Sequence, residues 1–115
     1  LIQNPQILTH KSNAQLYSDW RENHEPNHFE LSKQRQYTKN FHYHPLISII
    51  TPVYNPAAHI LRDTIQSVIT QTYPKWELCI ADGNSEAPDV REVLNDFSIT
   101  FTLLDFNPIS VCCVN

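Results

Sequence analysis

Glycine is nearly absent from this chain, which has a single one, Gly83, among its 115 residues. Average usage would supply roughly 7% glycine. Phosphate-binding loops of the Walker type and the dinucleotide-binding fingerprint each need several glycines at fixed offsets. The shortage therefore excludes both kinds of site, and it also excludes collagen-like and glycine-rich linker architectures.

Basic runs and long apolar runs are missing as well. The chain has 8 basic and 12 acidic side chains, a formal net charge of −4 and no basic patch. This balance argues against nucleic acid or an anionic membrane as a partner. The apolar stretches are only a few residues long, so we predict no membrane span.

Cysteine usage indicates a reducing compartment. The three cysteines, Cys79, Cys112 and Cys113, are an odd number, and two are adjacent, which matches neither a disulfide framework nor a zinc pattern. On this ground we expect a cytoplasmic location, and we expect no signal peptide, because Leu1 to Thr9 is polar and lacks a basic start. Because the first residue is Leu1 rather than methionine, we expect a piece of a longer protein.

Residues 1–44 differ in character from the rest. They are polar and rich in Gln, Asn and His, with isolated apolar residues. Leu16, Tyr17 and Trp20 recur at helical spacing, and Pro26 interrupts any long helix. We predict that residues 1–44 form a partly helical, partly irregular leader. It should contain two short helices whose aromatic side chains pack onto another element.

Residues 45–115 alternate between strand and helix patterns. Apolar runs at 46–50, 76–81 and 99–106 predict strands, and apolar stripes within 57–71 and 88–97 predict helices. The first run is nearly continuous, as in a strand buried on both faces. Such alternation builds a parallel sheet, so we predict an α/β domain in which Cys79 is a core residue and Cys112 and Cys113 lie in a frayed end.

Two turn features accompany this pattern. Asn55 and Pro56 precede the first of these helices, where Asn55 is expected to cap the helix and Pro56 to take its first position. Gly83 lies in an Asp-Gly-Asn-Ser turn cluster after the second strand. Glycine tolerates a positive φ, which we predict for Gly83.

A ligand site is expected beyond the carboxyl ends of the first two strands, because open parallel sheets bind ligands there. Tyr54 follows the first strand and offers an aromatic face for a planar ring. Asp82 follows the second and can accept from an imide or a ribose hydroxyl. This pair suits a nucleoside better than a bare phosphate. The alternative is that Tyr54 only packs against other side chains of the domain and that Asp82 only stabilises the turn.

Three segments, in order, resemble the opening of a family 2 glycosyltransferase. They are Pro-Leu-Ile-Ser-Ile-Ile-Thr-Pro-Val-Tyr-Asn at 45–55, Ser-Val-Ile-Thr-Gln-Thr-Tyr-Pro-Lys-Trp-Glu-Leu at 67–78, and Ile-Ala-Asp-Gly-Asn-Ser at 80–85. The resemblance is strong over residues 45–97 and fainter at 104–110. It implies an amino-terminal fragment of a three-layer, Rossmann-like GT-A fold, incomplete at 45–115 and preceded by the helical leader at 1–44.

The resemblance also implies a reaction and a binding site. Members transfer a sugar from a nucleotide-diphospho-sugar, here expected to be of the uridine or deoxythymidine type, to a polysaccharide or cell-surface glycan. By match of motif, Thr51, Pro52 and Tyr54 would line the nucleotide site, and Asp82 would bind the base ring or the ribose. Gly83 stands where many members carry a second acidic residue.

The family's metal-binding and catalytic residues are not found in this sequence. Full-length members hold Mn²⁺ or Mg²⁺ with an Asp-x-Asp motif and use a later carboxylate as base. No Asp-x-Asp occurs here; the nearest patterns are Asp82-x-Asn84 and Asp105-x-Asn107. We therefore assign no catalytic or metal-binding residue and predict that the chain alone is inactive.

Several other interpretations compete with this one. The chain could be a non-catalytic remnant or an interaction module that keeps only the nucleotide-side half of the fold. A receiver-type signalling domain would need an acidic cluster after the first strand, which is missing. The pairs His24/His28 and His42/His44 are interpreted as surface residues rather than zinc ligands. An unpaired sheet edge is expected to favour self-association.

Overall fold

The computed structural model describes residues 10–103 and 107–113. The elements follow in the order α1 (Asn13–His24), α2 (His28–Thr38), β1 (Ile47–Val53), α3 (Ala58–Ile69), β2 (Trp76–Asp82), α4 (Pro88–Leu103) and β3 (Ile109–Cys113). The α/β alternation predicted after residue 45 is confirmed. None of the described helices is both long and apolar enough to cross a membrane.

The two short helices predicted in the first 44 residues are present, and each begins at a capping box. At α1, the Ser12 hydroxyl accepts from the Gln15 N–H (3.3 Å), and the Gln15 side chain accepts from the Ser12 N–H (2.9 Å). Asn27 and Glu30 make the same exchange at α2, at 3.0 and 2.8 Å. Reciprocal bonds of this kind satisfy amide donors that the first helical turn leaves without partners.

The aromatic side chains of α1 contact one another. Trp20 stacks on Tyr17 and on His24, with ring centroids 6.3 and 4.8 Å apart. The helix buries none of its residues. Within the described part of the chain, these side chains therefore do not pack onto another element as the sequence predicted.

The sheet has three parallel strands in the order β1-β2-β3, so β2 is central. Alternate residues of β2 are buried, and α3 and α4 contact each other on that same face. One core cluster results, formed by Val53, Leu61, Ile65, Val68, Trp76, Leu78, Ile80, Val90, Val93, Leu94 and Ile109. Both helices thus cover one face of the sheet.

The opposite face of the sheet is open in the described residues, and β1 is an edge strand. Ile50 is 74% exposed, Cys112 is exposed and Cys79 is half-buried. The prediction that the first strand is buried on both faces was wrong for the part of the chain that the structure describes, because α3 and α4 cover only one face of the sheet. Cys79 belongs to this open face and not to the core.

The third strand lies later in the chain than predicted. Helix α4 continues to Leu103, and β3 begins only at Ile109. Residues 99–103, predicted as strand, are helical, and residues 104–106 lie outside the described residues. A short run of β-branched and aromatic residues fits either element, and Phe101 continues the helical spacing four residues after Phe97. Cys112 and Cys113, predicted in a frayed end, belong to β3.

Candidate functional site

The carboxyl ends of β1 and β2 lie side by side. Val53 and Asp82, the last residues of the two strands, are register partners. The pairing continues one step further, because the Gly83 N–H donates to the Val53 carbonyl at 2.8 Å. The loops that follow the two strands therefore leave the sheet at the same end, where the carboxyl ends of the strands lie.

Tyr54 presents its ring at the carboxyl end of β1. The residue is 71% exposed, and its ring lies against Gly83: a Cβ placed on Gly83 would be 3.4 Å from Tyr54 Cδ2. A shallow groove of about 370 Å³ runs beside the ring and is lined by Pro52, Val53, Tyr54, Ala81 and Gly83. The groove is mostly apolar, with an aromatic wall suited to a planar ring.

Asp82 lies in the chain between Ala81 and Gly83, which both line the groove, and is itself only 4% exposed. Its Oδ1 accepts from the Ser85 hydroxyl at 2.6 Å and from the Ser85 N–H at 3.1 Å. Its Oδ2 lies 3.3 Å from the same N–H and is the less engaged oxygen. The carboxylate is thus held by the turn that follows β2, and Oδ2 keeps capacity to accept another donor.

Asn55 links the two loops. Its N–H donates to the Ser85 hydroxyl, and its side-chain Oδ1 accepts from the Glu86 N–H, both at 2.9 Å. Asn55 has a φ of 42°. The predictions that Asn55 caps α3 and that Pro56 takes its first position were both wrong, because the helix begins at Ala58 with Ala57 as its N-cap. The Asn55 side chain bonds across to the other loop instead.

Gly83 does not have the positive φ that its turn cluster predicted. The neighbouring Asn84 takes the left-handed conformation instead, with a φ of 67°. Asparagine enters this region more readily than other residues with a side chain. Gly83 lies beside the Tyr54 ring, and a Cβ at this position would be in ordinary contact with that ring.

The two turn positions are expected to respond differently to alanine. Gly83→Ala places its Cβ in ordinary contact with Tyr54 and needs no positive φ, so it should change the free energy of unfolding by less than about 1 kcal/mol. Asn84→Ala should cost about 1–2 kcal/mol, because alanine is strained in the left-handed region. Urea denaturation of both variants measures the difference, and a larger loss at Gly83 would contradict this assignment.

The described residues do not fit a divalent metal. Within 10–103 and 107–113, no three His, Cys, Asp or Glu side chains are arranged to hold an ion. Asp82 faces Ser85, and His24 contacts the Trp20 carbonyl with Nδ1 at 2.8 Å.

Of the four residues that the sequence predicted for a nucleotide site, Pro52 and Tyr54 line the groove, whereas Asp82 is buried between the lining residues Ala81 and Gly83. Thr51 is half-buried in β1, where it pairs with Ile80. Sequence reasoning missed Ser85 as the partner of Asp82 and Asn55 as the partner of Ser85. Asn and Ser in turn clusters after strands were the available signal, because their side chains bond to nearby backbone.

Comparison with known proteins gives one family. The sequence model of the protein family described as glycosyl transferase family 2 matches residues 48–110, which are just over half of the chain. An uncharacterized protein y4gI of Sinorhizobium fredii is 48% identical over 54 residues, which are 47% of this chain and 6% of that protein. No solved structure gives a significant match.

Two further relatives have descriptive names. The O-antigen biosynthesis protein RfbC of Myxococcus xanthus is 38% identical over 52 residues, 45% of this chain and 4% of that protein. The putative teichuronic acid biosynthesis glycosyltransferase TuaG of Bacillus subtilis is 42% identical over 53 residues, 46% of this chain and 20% of that protein. The matched segment is thus a small part of each relative.

Proposed function

Because the chain belongs to glycosyl transferase family 2, we propose that residues 45–115 form the donor-nucleotide part of an enzyme that transfers a sugar from a nucleotide-diphospho-sugar to a polysaccharide or cell-surface glycan. Residues 1–44 are the leader that precedes it. The observation that carries this proposal is the groove at the paired ends of β1 and β2, which is lined by Tyr54 and by both chain neighbours of Asp82.

The proposed roles follow from the chemistry of these side chains. The exposed Tyr54 ring stacks on the nucleotide base, and Pro52 forms the apolar floor. Thr51 supports that floor from β1. The Asp82 carboxylate, an acceptor only when ionised, accepts from an imide N–H or a ribose hydroxyl through Oδ2. Uracil and thymine carry such an imide, which favours a uridine or deoxythymidine diphospho-sugar.

A titration with UDP tests the proposal. Since Gly83 is the only glycine, isotope-labelled glycine gives a single backbone amide signal in the NMR spectrum, and that signal reports from the groove. UDP should shift it in a saturable way. Tyr54→Ala and Asp82→Ala should each weaken binding about tenfold, the effect of losing a stacking contact or a charge-assisted hydrogen bond.

The control variant is Tyr43→Ala, which removes an equally exposed tyrosine (77%) outside the groove and should leave the affinity unchanged. UDP and dTDP should bind more tightly than CDP, whose base lacks the imide N–H. No shift with UDP at millimolar concentration would overturn the proposal. That result would favour a remnant or interaction module that retains the fold without the site.

We propose that this chain alone does not transfer sugar. The sequence contains no Asp-x-Asp motif, and the described residues hold no group of metal ligands. Incubation with UDP-glucose and Mn²⁺ or Mg²⁺ should therefore release no glucose above the uncatalysed background. Turnover by these 115 residues would show that the missing motif is not needed.

Location and self-association complete the proposal. We place the chain in the cytoplasm, where nucleotide-sugar donors are available and where unpaired cysteines such as Cys112 remain reduced. We also propose that copies of the chain associate through the outer edge of β1, which has no neighbouring strand in the described sheet.

A further inference from the structure

We propose that Ser85 and Asn55 are positioning residues for the nucleotide site, which hold Asp82 and Tyr54 in the arrangement that receives the ligand. This inference rests on the proposed function. Neither residue lines the groove. Both act through the hydrogen bonds that join the loop after β1 to the loop after β2.

Ser85 is the centre of this arrangement. The residue is completely buried, and its hydroxyl accepts from the Asn55 N–H (2.9 Å) while it donates to Asp82 Oδ1 (2.6 Å). A hydroxyl has one proton, and Ser85 donates it to Asp82. The donors and acceptors therefore follow one order, from the Asn55 N–H through the Ser85 hydroxyl to the Asp82 carboxylate. The Ser85 carbonyl also accepts from Arg91 Nε at 3.3 Å, which ties the turn to α4.

Asn55 fixes the other loop. Its left-handed backbone turns the chain immediately after Tyr54, and its side chain accepts from the Glu86 N–H. Together with the bond to Ser85, this places two hydrogen bonds beyond the last β1–β2 pair. Tyr54 is thereby held between the end of β1 and an anchored residue, with its ring against Gly83.

Such an arrangement lowers the cost of binding. Side chains and loops that are ordered only on binding reduce affinity, and groups already held in place do not. Without the Ser85 hydroxyl, Oδ1 of the buried Asp82 loses its shortest partner, and the carboxylate is free to turn away from the groove. Affinity should therefore fall although Tyr54 and Asp82 are both still present.

The test is a UDP titration of the Gly83 amide signal in the full chain. Ser85→Ala should weaken UDP binding about tenfold, as expected for one lost buried hydrogen bond to a charged group. Asn55→Gly keeps the left-handed backbone and removes only the side chain; it should weaken binding about fivefold. Ser110→Ala, at an exposed serine of β3, is the matched control and should bind as the wild type does.

A double-variant comparison separates positioning from a general loss of structure. Ser85 contacts both Asp82 and Asn55, so Ser85→Ala should weaken UDP binding less when it is added to Asp82→Ala than when it is made in the wild type, where it costs about tenfold. Losses that multiply in the double variant would overturn the proposal. Asn55→Gly changes an exposed residue and so supplies a folded variant if Ser85→Ala does not fold.

The free protein distinguishes failure of this inference from failure of the proposed function. If the wild type does not respond to UDP, the proposed function fails. The positioning role is then decided without ligand, because a Tyr54 ring that moves changes the ring-current shift of Gly83. Gly83 signals that are identical in the wild type, Ser85→Ala and Asn55→Gly would overturn the positioning role.

Discussion

Leu78→Ala is expected to abolish the cooperative unfolding transition of the chain. Leu78 is 1% exposed in the middle of the central strand, where it pairs with Ile49 on one side and Ile109 on the other. Truncation of a buried leucine costs about 2–5 kcal/mol. Small domains have a net stability of about 5–15 kcal/mol, and a single core cluster under two helices should lie near the lower limit.

The matched comparison for this prediction is Ile50→Ala. Ile50 belongs to the neighbouring edge strand but is 74% exposed on the open face, so its loss should change the free energy of unfolding by less than about 0.5 kcal/mol. Urea denaturation followed by far-ultraviolet circular dichroism measures both variants. A sharp transition retained by Leu78→Ala would contradict the core assignment. A large loss from Ile50→Ala would contradict the open face.

The sequence predicted the α/β alternation because most elements have one clear periodicity. The stripe at Leu61, Ile65 and Val68 matches the buried side of α3, and alternation along 76–82 matches β2. The end of α4 had no such signal. Residues 99–103 combine β-branched and aromatic side chains, and the helix that precedes them extends through this segment.

Strand position within the sheet could not be predicted from the sequence of β1 alone. An apolar run such as Ile47 to Ile50 is typical of a strand with both faces covered. In the described structure the same run forms the edge strand of the sheet, and the Ile50 side chain is exposed. Which faces are covered depends on how many strands and helices surround a strand, and that is a property of the whole fold.

The candidate site was predicted in its location and not in its internal contacts. Topology places the ends of β1 and β2 together, so Tyr54 and Asp82 could be assigned to one edge in advance. The bonds from Ser85 to Asp82 and from Asn55 to Ser85 depend on loop conformations with left-handed residues at Asn55 and Asn84. The only glycine was the obvious candidate for such a conformation, and the two asparagines adopt it instead.

Ile50→Lys is expected to suppress self-association of the chain. The outer edge of β1 carries backbone N–H and C=O groups without a strand partner in the described sheet, next to exposed Ile47 (46%) and Ile50 (74%). Apolar edge strands pair with copies of themselves, and an edge lysine prevents this pairing because its charge would have to be buried. In sedimentation velocity, the wild type should form larger species as its concentration rises. The variant should need a concentration at least about tenfold higher to do so.

The control must separate the position of the lysine from its charge, because the chain has a net charge of −4 and any added lysine reduces electrostatic repulsion between copies. Ile60→Lys makes the same change at an exposed residue (52%) of α3, away from the sheet edge. Reduced repulsion favours association, so Ile60→Lys should associate at least as readily as the wild type, whereas Ile50→Lys should not. Equal suppression by both variants, or a wild type that stays monomeric at every concentration, would refute association through β1.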